Sequence, residues 1–277
     1  MIERSNFSKD KSIDLDQPES IIDWFWVFWG CVIGIVIIGA FTFITSTKYN
    51  PDVVKAVPML IGGLAFAVTG MILGHYSPGH TVKEAAVAGL VIPIIGFVLS
   101  GMGYGPTFIA ELGIFEKIGV ALAGMLICQL GGWVGEELEG YDHPTKWLQW
   151  HWIIVAVVIG FMLNSFVIFF VGLISLTPVP VFMALSVFAA GIVAGYKSPG
   201  HTEKECSIAG ALTILLDYLF ITFALGIEAK DFGIESGTMA FILLVALAVA
   251  GGLGLLGGWI GERMQIQEKE EEKELNN

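Results

Sequence analysis

The stretch GMILGHYSPGHTVKEAAVAGL, from Gly70 to Leu90, decides how this chain is read, because it returns as GIVAGYKSPGHTEKECSIAGA from Gly191 to Ala211. Aligned without gaps, eleven of the twenty-one positions are identical. In each copy a polar Ser-Pro-Gly-His-Thr segment separates two apolar runs. The likeness extends outward with small gaps. Trp24, Trp26 and Gly34 pair with Trp150, Trp152 and Gly160, and Gly131-Gly132-Trp133-Val134-Gly135-Glu136 pairs with Gly257-Gly258-Trp259-Ile260-Gly261-Glu262. The pattern predicts a tandem duplication.

Of the 277 residues, 55% are hydrophobic and 14% charged, and the mean hydropathy is +0.75. A soluble domain carries roughly 25% charged residues. The charges cluster in short segments, and the apolar runs between them are long enough to cross a hydrocarbon core of about 30 Å, which takes roughly 20 helical residues. Spans are expected at Trp24–Thr45, Pro51–His75, Val82–Ser100, Ile114–Glu136, Trp150–Ile174, Pro178–Tyr196, Glu203–Leu225 and Gly237–Gly261. The expected fold is thus an all-α membrane protein of about eight transmembrane helices in two four-helix repeats. Because four is even, the repeats run parallel, related by an axis along the membrane normal. The chain divides into an acidic tail (1–23), repeat 1 (24–140), a linker (141–149), repeat 2 (150–262) and a second acidic tail (263–277).

The net charge of -12 sits mostly in the tails. Acidic, solvated ends of this kind are expected to lack fixed structure and to repel nucleic acid. The N-terminus lacks the basic region and short apolar core of a cleaved signal peptide, so the first span is expected to be retained. Of the fourteen lysines and arginines, ten fall on the side of the tails and four on the other. That bias puts both termini in the cytoplasm. Six of the ten lie in the tails, and the loops alone divide four against four.

Turn and cap chemistry accounts for most of the repeated loop. Pro78-Gly79 and Pro199-Gly200 suit the centre of a type II turn that Ser77 and Ser198 open. Thr81 with Glu84, and Thr202 with Glu205, have capping-box spacing. Asn50-Pro51 and Thr177-Pro178 read as caps before a proline at the first helical position. The histidines His80 and His201 are left over, and they support two ligand readings. A metal held by both, with Glu84 or Glu205 as oxygen ligands, requires the axis to bring the loops together. Alternatively, the two helix N-termini with Lys83 and Lys204 bind an anionic lipid head group or phosphate. His75, His143 and His151 map to the same edge, too shallow for a mid-membrane haem pair. No other cofactor is expected.

Inside the bilayer stands one ionisable residue, Asp217, about fifteen residues beyond Thr202 and so roughly 22 Å deep. Its counterpart is Gly96. An intramembrane acid is a functional candidate by default, because burying its charge costs several kcal/mol unless it is paired or protonated. Gln129, Asn164 and Tyr218 are the polar candidates nearby. Glycines spaced by four, among them Gly70/Gly74, Gly131/Gly135, Gly191/Gly195 and Gly257/Gly261, predict close helix packing. Pro93 should kink its helix, and Trp24, Trp26, Trp150 and Trp152 read as an interfacial belt. Cys31, Cys128 and Cys206 show no paired spacing and are expected to act as packing residues.

The segment Gly195-Tyr196-Lys197-Ser198-Pro199-Gly200-His201-Thr202, followed by Ala209-Gly210, resembles uncharacterised small prokaryotic multi-pass membrane proteins with a Gly-Tyr-x-Ser-Pro-Gly-x-Thr loop. The resemblance covers about twenty residues per half and implies a class, set in the cytoplasmic (inner) membrane of a prokaryote, without an activity. No nucleophile elbow, phosphate loop or HExxH motif occurs. The expectation is a non-catalytic structural or scaffold subunit, in contact with lipid and with membrane-protein partners or further copies of itself. The alternative is a transporter or channel for protons, ions or a small solute that uses Asp217.

Overall fold

A computed structural model describes residues 22–46, 56–77, 82–103, 112–138, 149–170, 178–198, 202–224 and 236–275. They form eight α-helices: α1 Trp24–Ser46, α2 Ala56–Tyr76, α3 Val82–Gly101, α4 Ile114–Leu138, α5 Trp150–Phe170, α6 Val179–Lys197, α7 Glu203–Leu219 and α8 Ser236–Leu275. A π-helical turn, Phe220–Ala224, prolongs α7. Six helices, α3 to α8, are long and apolar enough to cross a membrane. The chain is a multi-pass helical membrane protein whose outer surface meets lipid.

Packing follows the small residues. The tightest seams join α2 to α4 and α6 to α8, and α4 and α8 also hold α3 and α7. A Cβ at Gly70 or Gly74 would fall on the carbonyls of Cys128 or Gly132, and one at Gly195 on that of Gly258. In these seams backbone touches backbone. Without a hydrophobic drive between helices in lipid, such contact lets van der Waals attraction hold them together.

Helix α1 lies on α2 and α3, and α5 on α6 and α7. One core gathers Val27, Cys31, Phe66, Leu73, Ala88 and Cys128 from α1 to α4. A second is built around Trp152, Ile153, Ala156, Ala190 and Cys206 from α5 to α7, and it also takes in Val134 of α4. Leu64 and Ala67 of α2 meet Met162 of α5, which joins the two halves. All three cysteines are buried and unbridged, as packing residues would be.

Three local expectations change. The tryptophan belt splits: Trp24 and Trp150 are 65% and 62% exposed, whereas Trp152 is 1% exposed and Trp26 half-buried. Residues two apart on a helix point to nearly opposite sides, so one of each pair must face the core. Helix α6 starts at Val179, one residue after Pro178, and no side chain caps it; Asn50, Pro51 and Thr177 lie outside the described residues. Helix α3 carries Pro93 in its interior. The acidic end is helical rather than irregular, because α8 continues to Leu275. After Gly261 its residues are good helix formers with no glycine or proline to stop them. Its 40 residues span roughly 60 Å, about twice a hydrocarbon core.

Candidate functional site

The polar site within the helices joins α5 to α7. Asn164 lies fourteen residues beyond Trp150, and Asp217 fourteen beyond Glu203. Both helices start at the same end, where the Gln149 N–H before α5 donates to Glu205 Oε1 in the first turn of α7 at 3.0 Å. Equal distances along parallel helices put the two side chains at one height. Asn164 Nδ2 donates to Asp217 Oδ2 at 2.6 Å; Asn164 is fully buried and Asp217 is 3% exposed.

One turn nearer the start, Gly160 makes room for Thr213. A Cβ at Gly160 would fall 2.9 Å from Thr213 Oγ1, and that hydroxyl donates to the Ala209 carbonyl at 2.9 Å. On the other side Phe161 stacks edge-on against Phe220, centroids 5.5 Å apart. There α7 passes into its π turn, and the Phe220 N–H is shared between the Asp217 and Leu216 carbonyls. π turns recur at functional sites because they free backbone groups from the helical ladder.

The pair is not fully satisfied. Asn164 Oδ1 and Asp217 Oδ1 are buried with no hydrogen-bond partner. A carboxylate and an amide that touch through one N–H thus retain two acceptor oxygens that no donor reaches. Gln129 stands partly buried on α4 and bonds to neither. Tyr218 is half-buried on α7.

At the opposite, loop-bearing end, carboxylates tie helices together. Glu84 Oε1 accepts the Asp23 N–H at 3.0 Å, the counterpart of Glu205 and Gln149. Glu136 Oε1 accepts the Val82 N–H at 3.1 Å, and Glu262 Oε1 accepts the Thr202 N–H. All four carboxylates are buried. The Thr202–Glu205 capping box does not form, since the Thr202 side chain makes no cap bond to its own helix. Glu262 of α8 occupies the Thr202 N–H that Glu205 would have capped, and Glu205 turns to α5 instead. The donor at the start of a neighbouring helix has outcompeted the local one.

Lys83 and Lys204 are exposed. The N–H groups beside them already meet the protein's own carboxylates, so these helix starts are compensated from within. His80, His201 and His143, and with them Thr81, lie outside the described residues. His75 is exposed and packs edge-on against Tyr76 at 4.9 Å. Among the described residues no group of three or more metal-ligating side chains comes together.

Sequence reasoning found Asp217 and Asn164 but missed the roles of Glu136 and Glu262. The signal was there: each closes a Gly-Gly-Trp-x-Gly-Glu segment, and the glycines bring its helix close enough for the carboxylate to reach a neighbour's start. The π turn had no signal. No family model, curated protein or solved structure matches the chain.

Proposed function

We propose that the chain is a non-catalytic inner-membrane protein that crosses the bilayer eight times, as two parallel four-helix repeats, and acts as a structural subunit of a membrane assembly. The backbone-to-backbone seams carry this reading. They fix α2 on α4 and α6 on α8 without flexible side chains between them, which suits a rigid scaffold. Two further spans beyond the six are supported by α1 and α2, of 23 and 21 residues, roughly 31–35 Å each. Duplication is supported by the matched bonds Asp23–Glu84 and Gln149–Glu205. The lysine and arginine bias favours cytoplasmic termini. On that side the acidic end of α8 is available to partner proteins, while exposed apolar faces on α4 and α8 can take lipid or another copy.

Transport of protons, ions or a small solute is the second reading, favoured by the buried Asn164–Asp217 pair. Flux into proteoliposomes separates the two. The structural reading expects no flux and a defined partner or oligomer co-purifying from native membrane. Proton or ion flux that Asp217→Asn abolishes would overturn it. Bound metal lost in His80→Ala/His201→Ala would add a loop site to either reading.

A further inference from the structure

We infer that Asp217 is an intramembrane proton-binding site, with Asn164 as its positioning residue. The observation is the pair of orphaned oxygens. Asn164 Nδ2 donates to Asp217 Oδ2, while Oδ1 of each residue is buried without a donor. An ionised carboxylate can only accept, so it leaves both unsatisfied and its charge uncompensated in a low-dielectric interior. One proton on Asp217 removes the charge and supplies the missing donor. The step is a transfer from hydronium to the carboxylate, leaving water and a neutral carboxylic acid.

No neighbouring charge competes for this role. Helix α5 carries His151 as its one ionisable group, and α6 carries Tyr196 and Lys197; all three lie at the loop-bearing end. Helix α8 has no charged residue before Glu262, at that same end, and on α7 the charged residues besides Asp217 are Glu203, Lys204 and Glu205 in the first turn, with Tyr218 beside it.

Packing alone does not require an acid here. The corresponding residues of the other half are Ile38 and Gly96, and α1 packs on α3 all the same. The π turn begins three residues beyond Asp217. It loosens the backbone ladder between Asp217 and Ala224, a distance of roughly 10 Å along the helix.

The proposal rests on the membrane reading alone and stands whether or not the protein transports. It is tested by infrared spectroscopy of the full chain in lipid nanodiscs, with aspartate carrying a carbon-13 carboxyl. At neutral pH the wild type should show a protonated aspartate carbonyl band that shifts in heavy water and is fully lost in Asp217→Asn. Asn164→Ala should move its frequency without removing it, which a merely structural role would not do. Loss of the band in Asp217→Asn assigns it to Asp217 among the labelled aspartates, and the shift in Asn164→Ala, which keeps Asp217, makes the same assignment if Asp217→Asn fails to fold. Absence of a protonated aspartate band in folded wild type from neutral to mildly acidic pH would overturn the inference. A band that survives Asp217→Asn would do the same.

Discussion

Gly195 sits where α6 rests on α8, and alanine there puts two opposing effects into one methyl group. In an exposed helix the change from glycine stabilises by about 1 kcal/mol, because glycine loses more backbone entropy on folding. At Gly195 the added Cβ would lie 2.9 Å from both the carbonyl carbon and the Cα of Gly258, and nearer still to its oxygen. Those are backbone atoms, which cannot rotate aside, so α6 must move off α8. Overpacking of this kind costs about 1–3 kcal/mol. Gly252, on the lipid-facing side of α8, meets nothing within 4 Å and keeps the propensity gain alone. Gly195→Ala should therefore melt below Gly252→Ala by the overpacking cost, a gap of roughly 2–12 °C at about 2–4 °C per kcal/mol. Thermal unfolding of both variants in the same detergent measures it. A Gly195→Ala protein as stable as Gly252→Ala would show that the seam is not in backbone contact.

Removing the Glu205 carboxylate should strand the Gln149 N–H, so Glu205→Ala is expected to lose about 1–3 kcal/mol and Glu205→Gln, which keeps an acceptor, clearly less; equal melting temperatures would refute the tie between α5 and α7. Asp217→Leu alone leaves a fully buried amide without its partner, whereas Asn164→Leu/Asp217→Leu removes both polar groups. The double variant should be the more stable by about 1–3 kcal/mol in thermal melts. Truncation after Arg263 removes the Gln265 bond to the Ser198 carbonyl and the Glu268 bond to Tyr196. Both lie outside the membrane seams, so the melting temperature should fall by no more than about 2–4 °C, while co-purification of native partners should drop. Unchanged co-purification would remove the acidic helix from the proposed assembly surface.

The membrane class and most helix positions were legible because a chain in lipid must satisfy its backbone within each segment, which leaves long apolar runs as the visible trace. The start of α5 at Trp150 and of α7 at Glu203 could be read to the residue. Asp217 and Asn164 stood out for the same reason, as polar groups in apolar runs, and their equal distances from their helix starts already hinted at one height. That they bond, and that Gln129 does not join them, depends on which helices are neighbours.

The capping boxes mark where local reading fails. Thr202 and Glu205 have the right spacing, yet their bonds go to Glu262 and Gln149. A carboxylate one turn into a helix has two N–H groups within reach once another helix start is brought against it, and only packing decides which it takes. The sequence by itself determined the apolar helices, the recurrence of the Ser-Pro-Gly-His-Thr segment and the single intramembrane acid, all properties of residues near one another in the chain. The tertiary structure decided the carboxylate ties, the inward turn of Trp152 and the acid–amide pair. Each depends on residues more than fifty positions apart, or on which side of a helix meets its neighbour, and no local spacing encodes that.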